Sequence, residues 1–319
     1  MEQSASLFGA SPSMNWDQAR KLLRLARTRS ESAEAAHGSV DRARHELYAA
    51  PRAHSLCIAS GKGGTGKSVV SASLGTLLAR TGRTLLVDAD LGVGNAHILH
   101  DLCPPHSFVD VIEGRLSVRD IRVSARPQLD LLAGGSGVSR MAGLTAYELH
   151  LVAVGLESVE QEYQHVLVDS AAGISNQTIA FAAASDVVLV VTTPDVTALT
   201  DAYAFLKVLL QRRGDLVPLF VVNRATSEDE ALHVADRLRN VSRKFLGREP
   251  RYLGYLPDDR HVVEAVNARR PAVLHSPAAP FAQALHELAV RLQHEFTRLP
   301  ARGVGRTMLR SVGYTPGLG

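Results

Sequence analysis

Short apolar runs and longer helical patterns alternate along most of the chain. Seven runs suit buried strands, at residues 56–59, 84–87, 129–132, 165–169, 186–193, 219–222 and 252–255. Elsewhere, as in 69–78, 145–162 and 281–299, apolar residues recur every three or four positions, which is typical of amphipathic helices. Continuous runs such as DVVLVVTT at 186–193 favour parallel strands that are buried on both faces. The pattern predicts an α/β fold with a mostly parallel central sheet flanked by helices.

The two ends of the chain differ from this middle part. Residues 1–15 are small and polar, 16–29 have the spacing of a short amphipathic helix, and 30–54 are rich in Ser, Ala, His and Arg. We therefore predict an N-terminal helix and linker at 1–53, a main domain at 54–299 and a basic tail at 300–319.

Composition sets broad limits on the class of protein. Of the 319 residues, 45% are hydrophobic and 21% are charged, which suits one sizeable globular domain with appendages. The two cysteines, Cys57 and Cys103, indicate neither a disulfide framework nor a zinc site. The sequence has no run of ~18 apolar residues and no signal-peptide pattern, so we expect a cytoplasmic protein. From Arg269 onward seven arginines face two glutamates, a surplus that suits an anionic membrane surface, nucleic acid or simple solvation.

A glycine-rich loop follows the first apolar run. Residues 61–68 read GKGGTGKS and fit the phosphate-binding pattern G-x-x-x-x-G-K-[ST] at every fixed position. Backbone N–H groups of such a loop, and of the helix that follows, bind phosphate oxygens. Lys67 can reach the β and γ phosphates, and the Ser68 hydroxyl can bind Mg²⁺. The predicted nucleotide-binding residues of this loop are Gly61, Lys62, Gly63, Gly64, Thr65, Gly66, Lys67, Ser68 and Val69.

Carboxylates follow two later strands of the predicted sheet. Asp88 and Asp90 come after the run at 84–87, and Asp169 ends the run at 165–169. Ligands of open α/β sheets bind at the carboxyl ends of the strands, so we expect these acids beside the phosphate loop. In phosphoryl-transfer enzymes an Asp in this place holds the Mg²⁺ hydration shell, and a following glycine such as Gly173 can sense the γ-phosphate. As an alternative, such acids cap the turns that follow the strands.

The segment KGGTGKS resembles the deviant phosphate loop of the ParA/MinD family of ATPases. The resemblance implies that Lys62 crosses a dimer interface to the phosphates bound by the other subunit, while Lys67 acts within its own subunit. DADLGVGNAHIL at 88–99 resembles the first switch segment of the family. That match assigns Asp90 to the attacking water and Asp88 to the vicinity of Mg²⁺, and Asp169 fits the second switch.

Further residues carry the same resemblance. Asn223 and Arg224 match the adenine-recognition segment of the family, and Pro257 lies where a second loop contacts the base. His97 departs from the pattern, since the family usually has an acid there. His100 and Asp101 likewise replace a smaller apolar residue and a glycine. These histidines do not have a spacing that indicates a metal site.

The N-terminal segment resembles a different element, the activator motif of the FlhG/FleN flagellar-number regulators. Asp17, Gln18 and Ala19 match that motif, although Leu23 stands where an arginine is expected. The resemblance implies docking onto an FlhF-like GTPase of the signal-recognition type. A helix that folds back onto the main domain is the alternative.

Taken together, these motifs predict a Mg²⁺-dependent ATPase that dimerises with ATP and controls flagellar number or placement. Its expected partners are a second copy, the FlhF-like GTPase and a flagellar transcription regulator. The tail loosely resembles a membrane-targeting helix, so a peripheral position at the inner face of the cell membrane or at the cell pole is also predicted. The alternatives are a ParA-type partitioning ATPase that binds DNA and a non-hydrolysing antagonist of a transcription factor.

Overall fold

The computed structural model describes residues 53–92, 94–135 and 143–312. The strands are β1 His54–Ser60, β2 Thr84–Ala89, β3 Arg122–Arg126, β4 Leu129–Leu132, β5 His165–Ala172, β6 Val187–Thr192, β7 Leu219–Ala225 and β8 Arg251–Pro257. The helices are α1 Lys67–Leu78, α2 Phe108–Ile112, α3 Ala146–Val159, α4 Asn176–Ala184, α5 Val196–Arg212, α6 Glu228–Leu246, α7 Arg260–Asn267, α8 Ala272–His275, α9 Pro280–Arg298 and α10 Val304–Val312. Short 3₁₀ turns occupy Ile98–His100 and Glu160–Glu162.

The strands form one eight-stranded sheet in the order β3-β4-β2-β5-β1-β6-β7-β8. Every neighbouring pair is parallel except β3 and β4. The carboxyl ends of β1, β2 and β5 therefore meet at one edge of the sheet. The predicted mostly parallel sheet is confirmed.

Helices cover both faces of the sheet. Successive strand residues point to opposite faces, so in β1 Cys57 belongs to one hydrophobic core and Ile58 to the other. The first core includes residues of α2 to α6 and α10, and the second includes residues of α1, α7, α8 and α9. We call the second the α1 face. Burial on both sides explains why the central strands are continuous apolar runs.

Local sequence signals set several helix boundaries. Thr145 and Glu148 form the predicted capping box at the start of α3, each side chain bonding the other residue's backbone N–H. The helical stripe predicted at 281–299 is α9, which begins with Pro280 at its first turn, where proline is well tolerated.

The edge strand β3 was not predicted, because only one short apolar piece marks it. It runs antiparallel to β4, and its register shifts between Ser124 and Arg126. The charged sequence RVSAR has no long apolar run, as expected for a strand paired on one side only.

The last helix packs on the main domain. Val304 and Met308 of α10 are fully buried against the core that contains α3 and α4. A side chain at Gly305 would lie 2.3 Å from the Glu157 backbone nitrogen of α3, so glycine permits the close approach. Within the described residues, no helix is long and apolar enough to cross a membrane.

Candidate functional site

The phosphate loop joins the end of β1 to the start of α1. Gly64 and Gly66 have positive φ values of 79° and 93°, a region that glycine enters at little cost. A side chain at Gly61 would lie 2.1 Å from the Asp201 carbonyl carbon, whereas one at Gly63 would meet nothing within 4 Å. The loop is therefore pressed against α5 on one side and open on the other.

Lys67 and the residues after it begin α1. Lys67 is 8% exposed, so its charge is held within the site. The Ser68 side chain hydrogen-bonds to Asp169, while Val69 packs at the border of the α1-face core. The predicted phosphate and Mg²⁺ residues of the loop therefore point toward a carboxylate.

Asn223 holds the loop from the neighbouring strand β7. Its Nδ2 donates to the Thr65 carbonyl oxygen at 2.8 Å, and a side chain at Gly66 would lie 2.3 Å from the same Nδ2. The Asn223 Oδ1 is buried without a hydrogen-bond partner. One end of this amide thus fixes the loop, and its acceptor remains available to a ligand.

Two buried carboxylates lie side by side next to the loop. Asp88 of β2 and Asp169 of β5 are register partners on adjacent parallel strands, and they are 0% and 1% exposed. The backbone N–H groups of Asp90 and Ala96 donate to Asp88, at 3.2 and 2.9 Å. Asp169 Oδ1 lies 2.9 Å from the Ser71 hydroxyl oxygen. The sheet thus brings together the metal residues that the sequence predicts.

Burial dominates the electrostatics of this pair. Desolvation raises the pKa of Asp88 well above its ordinary value, and the nearby Asp169 charge raises it further. Desolvation also raises the pKa of Asp169, although Lys67 and the two serine hydroxyls oppose that rise. Asp90 is partly exposed, and its charge also raises the pKa of both neighbours.

A divalent cation fits this arrangement. Mg²⁺ prefers hard oxygen ligands and usually takes one or two carboxylates together with phosphate oxygens and water. Asp88, Asp169 and Ser68 offer such oxygens, and a cation would offset the repulsion between the carboxylates. In the described part of the chain, no three His, Cys, Asp or Glu side chains could hold a metal by themselves, so the phosphates would complete the coordination.

Lys62 is turned toward its own chain. Its Nζ lies 2.9 Å from Asp195 Oδ2 and also donates to the Thr197 hydroxyl. Asp195 caps α5 and accepts from the Thr197 backbone N–H at 2.8 Å. The lysine that the family resemblance assigns to the other subunit is therefore tied to the start of α5 in this structure.

The remaining predicted ligands surround the same edge of the sheet. Gly173 has a φ of 90°, and its N–H donates to the Ser60 carbonyl at 2.9 Å. Arg224 has a φ of 60° and lies 3.5 Å from Asp258 across an exposed ion pair. Pro257 ends β8. Asp17, Gln18 and Ala19 lie outside the described residues.

Sequence reasoning missed three residues of the site. Ser71 lies one turn after Lys67 and contacts Asp169, a spacing that could have been noticed. Asp195 carries the helix-capping signal D-x-T but gave no hint of its contact with Lys62. Gln177 donates to the Ala89 carbonyl at 2.9 Å from α4, a contact that joins distant segments and leaves no local pattern.

Comparison with known proteins identifies the family. The model described as the CobQ/CobB/MinD/ParA nucleotide binding domain matches residues 56–272. The chain belongs to this family. Its membership confirms the MinD/ParA resemblance, and it agrees with the predicted cofactors, ATP and Mg²⁺.

Individual relatives of this MinD/ParA family member include flagellar proteins. Antiactivator FleN from Pseudomonas aeruginosa is 33% identical over 216 residues, which cover 67% of this chain and 77% of FleN. Flagellum site-determining protein YlxH from Helicobacter pylori is 29% identical over 265 residues, covering 81% of this chain and 90% of YlxH. The septum site-determining protein MinD from Pyrococcus horikoshii, complexed with Mg-ADP, shares the fold with a TM-score of 0.64 at 23% identity, over 75% of this chain and 96% of that one.

Proposed function

We propose that the protein is an ATP-dependent dimerising switch that hydrolyses ATP and regulates flagellar number or placement. The observation that carries the ATPase part is the Asp88–Asp169 pair, buried beside the phosphate loop on adjacent strands. The similarity to FleN and YlxH supports the flagellar part.

Each residue of the site has a role in this proposal. The loop N–H groups and Lys67 bind the phosphates, while Ser68, Asp88 and Asp169 hold the Mg²⁺. Mg²⁺ neutralises charge on the phosphates when it is bound. Asp90 orients the attacking water, because it is the partly exposed carboxylate of the segment next to the loop. Asn223, Arg224 and Pro257 contact the base.

Lys62 links nucleotide binding to dimerisation. Its ammonium group is on the surface and paired with an exposed carboxylate, so leaving Asp195 for a phosphate of the second subunit removes no buried contact. Exposed ion pairs contribute little to stability, whereas phosphate contacts in a closed dimer are shielded from water. Hydrolysis then returns the protein to the monomer with Lys62 at Asp195.

The test separates ATP binding from turnover. We expect Asp90→Ala to bind ATP and to remain dimeric with it, while ATP turnover falls to near background. Asp236→Ala is the matched control, since Asp236 is an exposed carboxylate on α6 and its loss should change neither property. Normal turnover by the Asp90 variant would remove the catalytic assignment. An ATP-loaded wild type that stays monomeric in sedimentation would remove the dimer switch.

The flagellar assignment has its own test. A peptide of residues 1–30 is added to an FlhF-like GTPase, and GTP hydrolysis is measured. We expect stimulation by the intact peptide, a loss of stimulation with Gln18→Ala, and no change with Gln3→Ala, which removes the same amide outside the motif. Absence of stimulation by the intact peptide would contradict the proposed partner.

Two further measurements test the rival functions. ATP-dependent, salt-sensitive binding to DNA of any sequence would favour a ParA-type partitioning role. Repression of a flagellar transcription regulator at equal stoichiometry, without turnover, would favour an antagonist that does not use hydrolysis.

A further inference from the structure

The segment that follows β2 contacts the linker between α7 and α8. Asp101 ends the 3₁₀ turn Ile98–His100 with a φ of 55°, a left-handed conformation. Its Oδ1 lies 3.8 Å from Arg269 Nη1. The linker is fixed on α1 in turn, because the Ala272 N–H donates to the Ser73 hydroxyl at 3.2 Å.

Arg126 reaches the same side of the sheet from β3. It is the register partner of Leu129 in β4, and cross-strand partners share a face. Leu129 is buried in the α1-face core, 3.5 Å from a side chain placed at Gly75 of α1. The Arg126 side chain therefore lies on the α1 face, as do the turn and the linker.

Buried nitrogens without partners are concentrated here. His100 is 4% exposed, and neither its Nδ1 nor its Nε2 has a hydrogen-bond partner. Arg126 Nε and His97 Nδ1 are likewise buried and unpartnered. Unsatisfied buried polar groups are costly and rare, and they commonly indicate a water or ion that binds there.

The charges identify the kind of ligand. Throughout the described residues, no carboxylate forms an ion pair with Arg126 or Arg270. Burial, and then the Arg126 charge, lower the pKa of His100 to about 4. Burial and the nearby Arg270 lower the pKa of Arg126. These effects agree with the geometry, since Arg126 shares the α1 face with the turn and Arg270 follows the Arg269 that contacts Asp101. A water would satisfy the hydrogen bonds of this cluster but would not offset the positive charge of the two arginines.

We propose that His100, Arg126 and Arg270 form a binding site for a phosphate-class oxyanion, separate from the phosphate loop. The arginines supply the charge, and His100 donates a hydrogen bond from beneath them. A metal does not fit, since the guanidinium of Arg126 repels cations. We call these three residues the oxyanion site.

The oxyanion site is connected to the nucleotide site through one short segment. The Ala96 N–H donates to Asp88, and the backbone N–H groups of Ile98 and His100 donate to Asn95 and His97, respectively. A ligand that fixes His100 therefore fixes the segment that holds Asp88. This regulatory consequence rests on the proposed function, whereas oxyanion binding itself does not.

An NMR titration of His100 measures phosphate binding at the oxyanion site directly. Full-length protein labelled at histidine is saturated with Mg·ADP, which fills the phosphate loop, and is titrated with inorganic phosphate against sodium chloride of equal ionic strength. The ring resonances of His100, assigned with His100→Gln, are followed by NMR. We expect a saturable shift with phosphate and none with chloride.

Variants establish which residues bind the phosphate. We expect Arg126→Gln to weaken phosphate binding at least about tenfold, because it removes a charge-assisted hydrogen bond. Arg270→Gln changes an exposed side chain, so it tests the same site without risk to the fold. Arg248→Gln removes an equal charge next to β8 at the opposite edge of the sheet and should leave binding unchanged.

The possible outcomes are distinct. A His100 resonance that does not move, that responds equally to chloride, or that titrates alike in wild type and Arg270→Gln would overturn the oxyanion site. A second titration replaces inorganic phosphate with vesicles of phosphatidylglycerol. A shift of the His100 resonance with phosphate but not with vesicles identifies a small soluble ligand. Calorimetry of ADP binding reports separately on the proposed function, so the two failures are distinguishable.

Discussion

Replacing Asp88 by Asn should change how stability depends on pH. Burial and the neighbouring Asp169 raise the pKa of Asp88 in the folded protein, so the folded state keeps a proton that the unfolded chain has already lost. The free energy of unfolding therefore falls as pH rises from the ordinary aspartate pKa toward the raised one. Where this carboxyl is protonated only in the folded state, the slope is about −1.4 kcal/mol per pH unit.

The Asp88→Asn variant lacks this slope but has a constant cost. Asp88 accepts two backbone N–H groups, from Asp90 and Ala96, and an Asn side chain has only one oxygen with which to accept them. The unsatisfied N–H costs about 1–3 kcal/mol at every pH. We therefore expect the variant to be less stable at about pH 5, and its deficit to shrink by up to ~1.4 kcal/mol for each pH unit above that.

Urea unfolding of the nucleotide-free protein, between about pH 5 and 6.5, measures both effects. His100 and His165, with the pKa of each lowered to about 4 by burial, add a slope of the opposite sign. They occur in both proteins, so their contributions cancel in the difference between wild type and variant, which reports on the interacting pair Asp88 and Asp169. Asp236→Asn is the control and should follow wild type. A deficit for Asp88→Asn that does not change with pH would refute the raised pKa of Asp88.

Two further predictions concern the phosphate loop. Asp195→Asn keeps the helix cap but removes the charge that holds Lys62. We therefore expect ATP to drive dimerisation at a few-fold lower protein concentration, as measured by sedimentation. An unchanged or higher concentration would show that Asp195 does not restrain Lys62. Gly61→Ala should lower stability by about 1–3 kcal/mol, because its side chain would overlap the Asp201 backbone. Thermal unfolding measures this loss. Gly63→Ala is the control, because its side chain would have no atom within 4 Å.

The central sheet could be predicted because burial on both faces leaves a strong sequence signal. The strands β1, β5 and β6 contain the uninterrupted apolar runs LCIA, VLV and VVLVV, and such runs favour parallel strands that are buried on both faces. β3 could not be found in this way, since RVSAR contains no uninterrupted apolar run. Its position depends on pairing with β4, which is a tertiary interaction.

Within the candidate site, residue types were easier to predict than contacts. The phosphate pattern and the position of Asp88 and Asp169 at strand ends depend on local sequence and on sheet direction. The contacts of Lys62 with Asp195 and of Asn223 with Thr65 each join residues more than a hundred positions apart. No spacing rule predicts such contacts, because the order of strands in the sheet determines them.

The hydrogen bond from Gly173 to Ser60 affects how the site would distinguish ATP from ADP. The Gly173 N–H already donates to a carbonyl oxygen of β1. The third phosphate of a nucleotide therefore gains from binding this N–H only if the phosphate oxygen is a better acceptor than the neutral carbonyl. An ionised oxygen is about twice as good. In the proposed ATPase, recognition of the terminal phosphate by Gly173 would then require only that this one amide exchange acceptors, a step whose net free energy is small. Ile174, which follows and is 52% exposed, would shift with that peptide and present a different apolar surface to whatever approaches the protein.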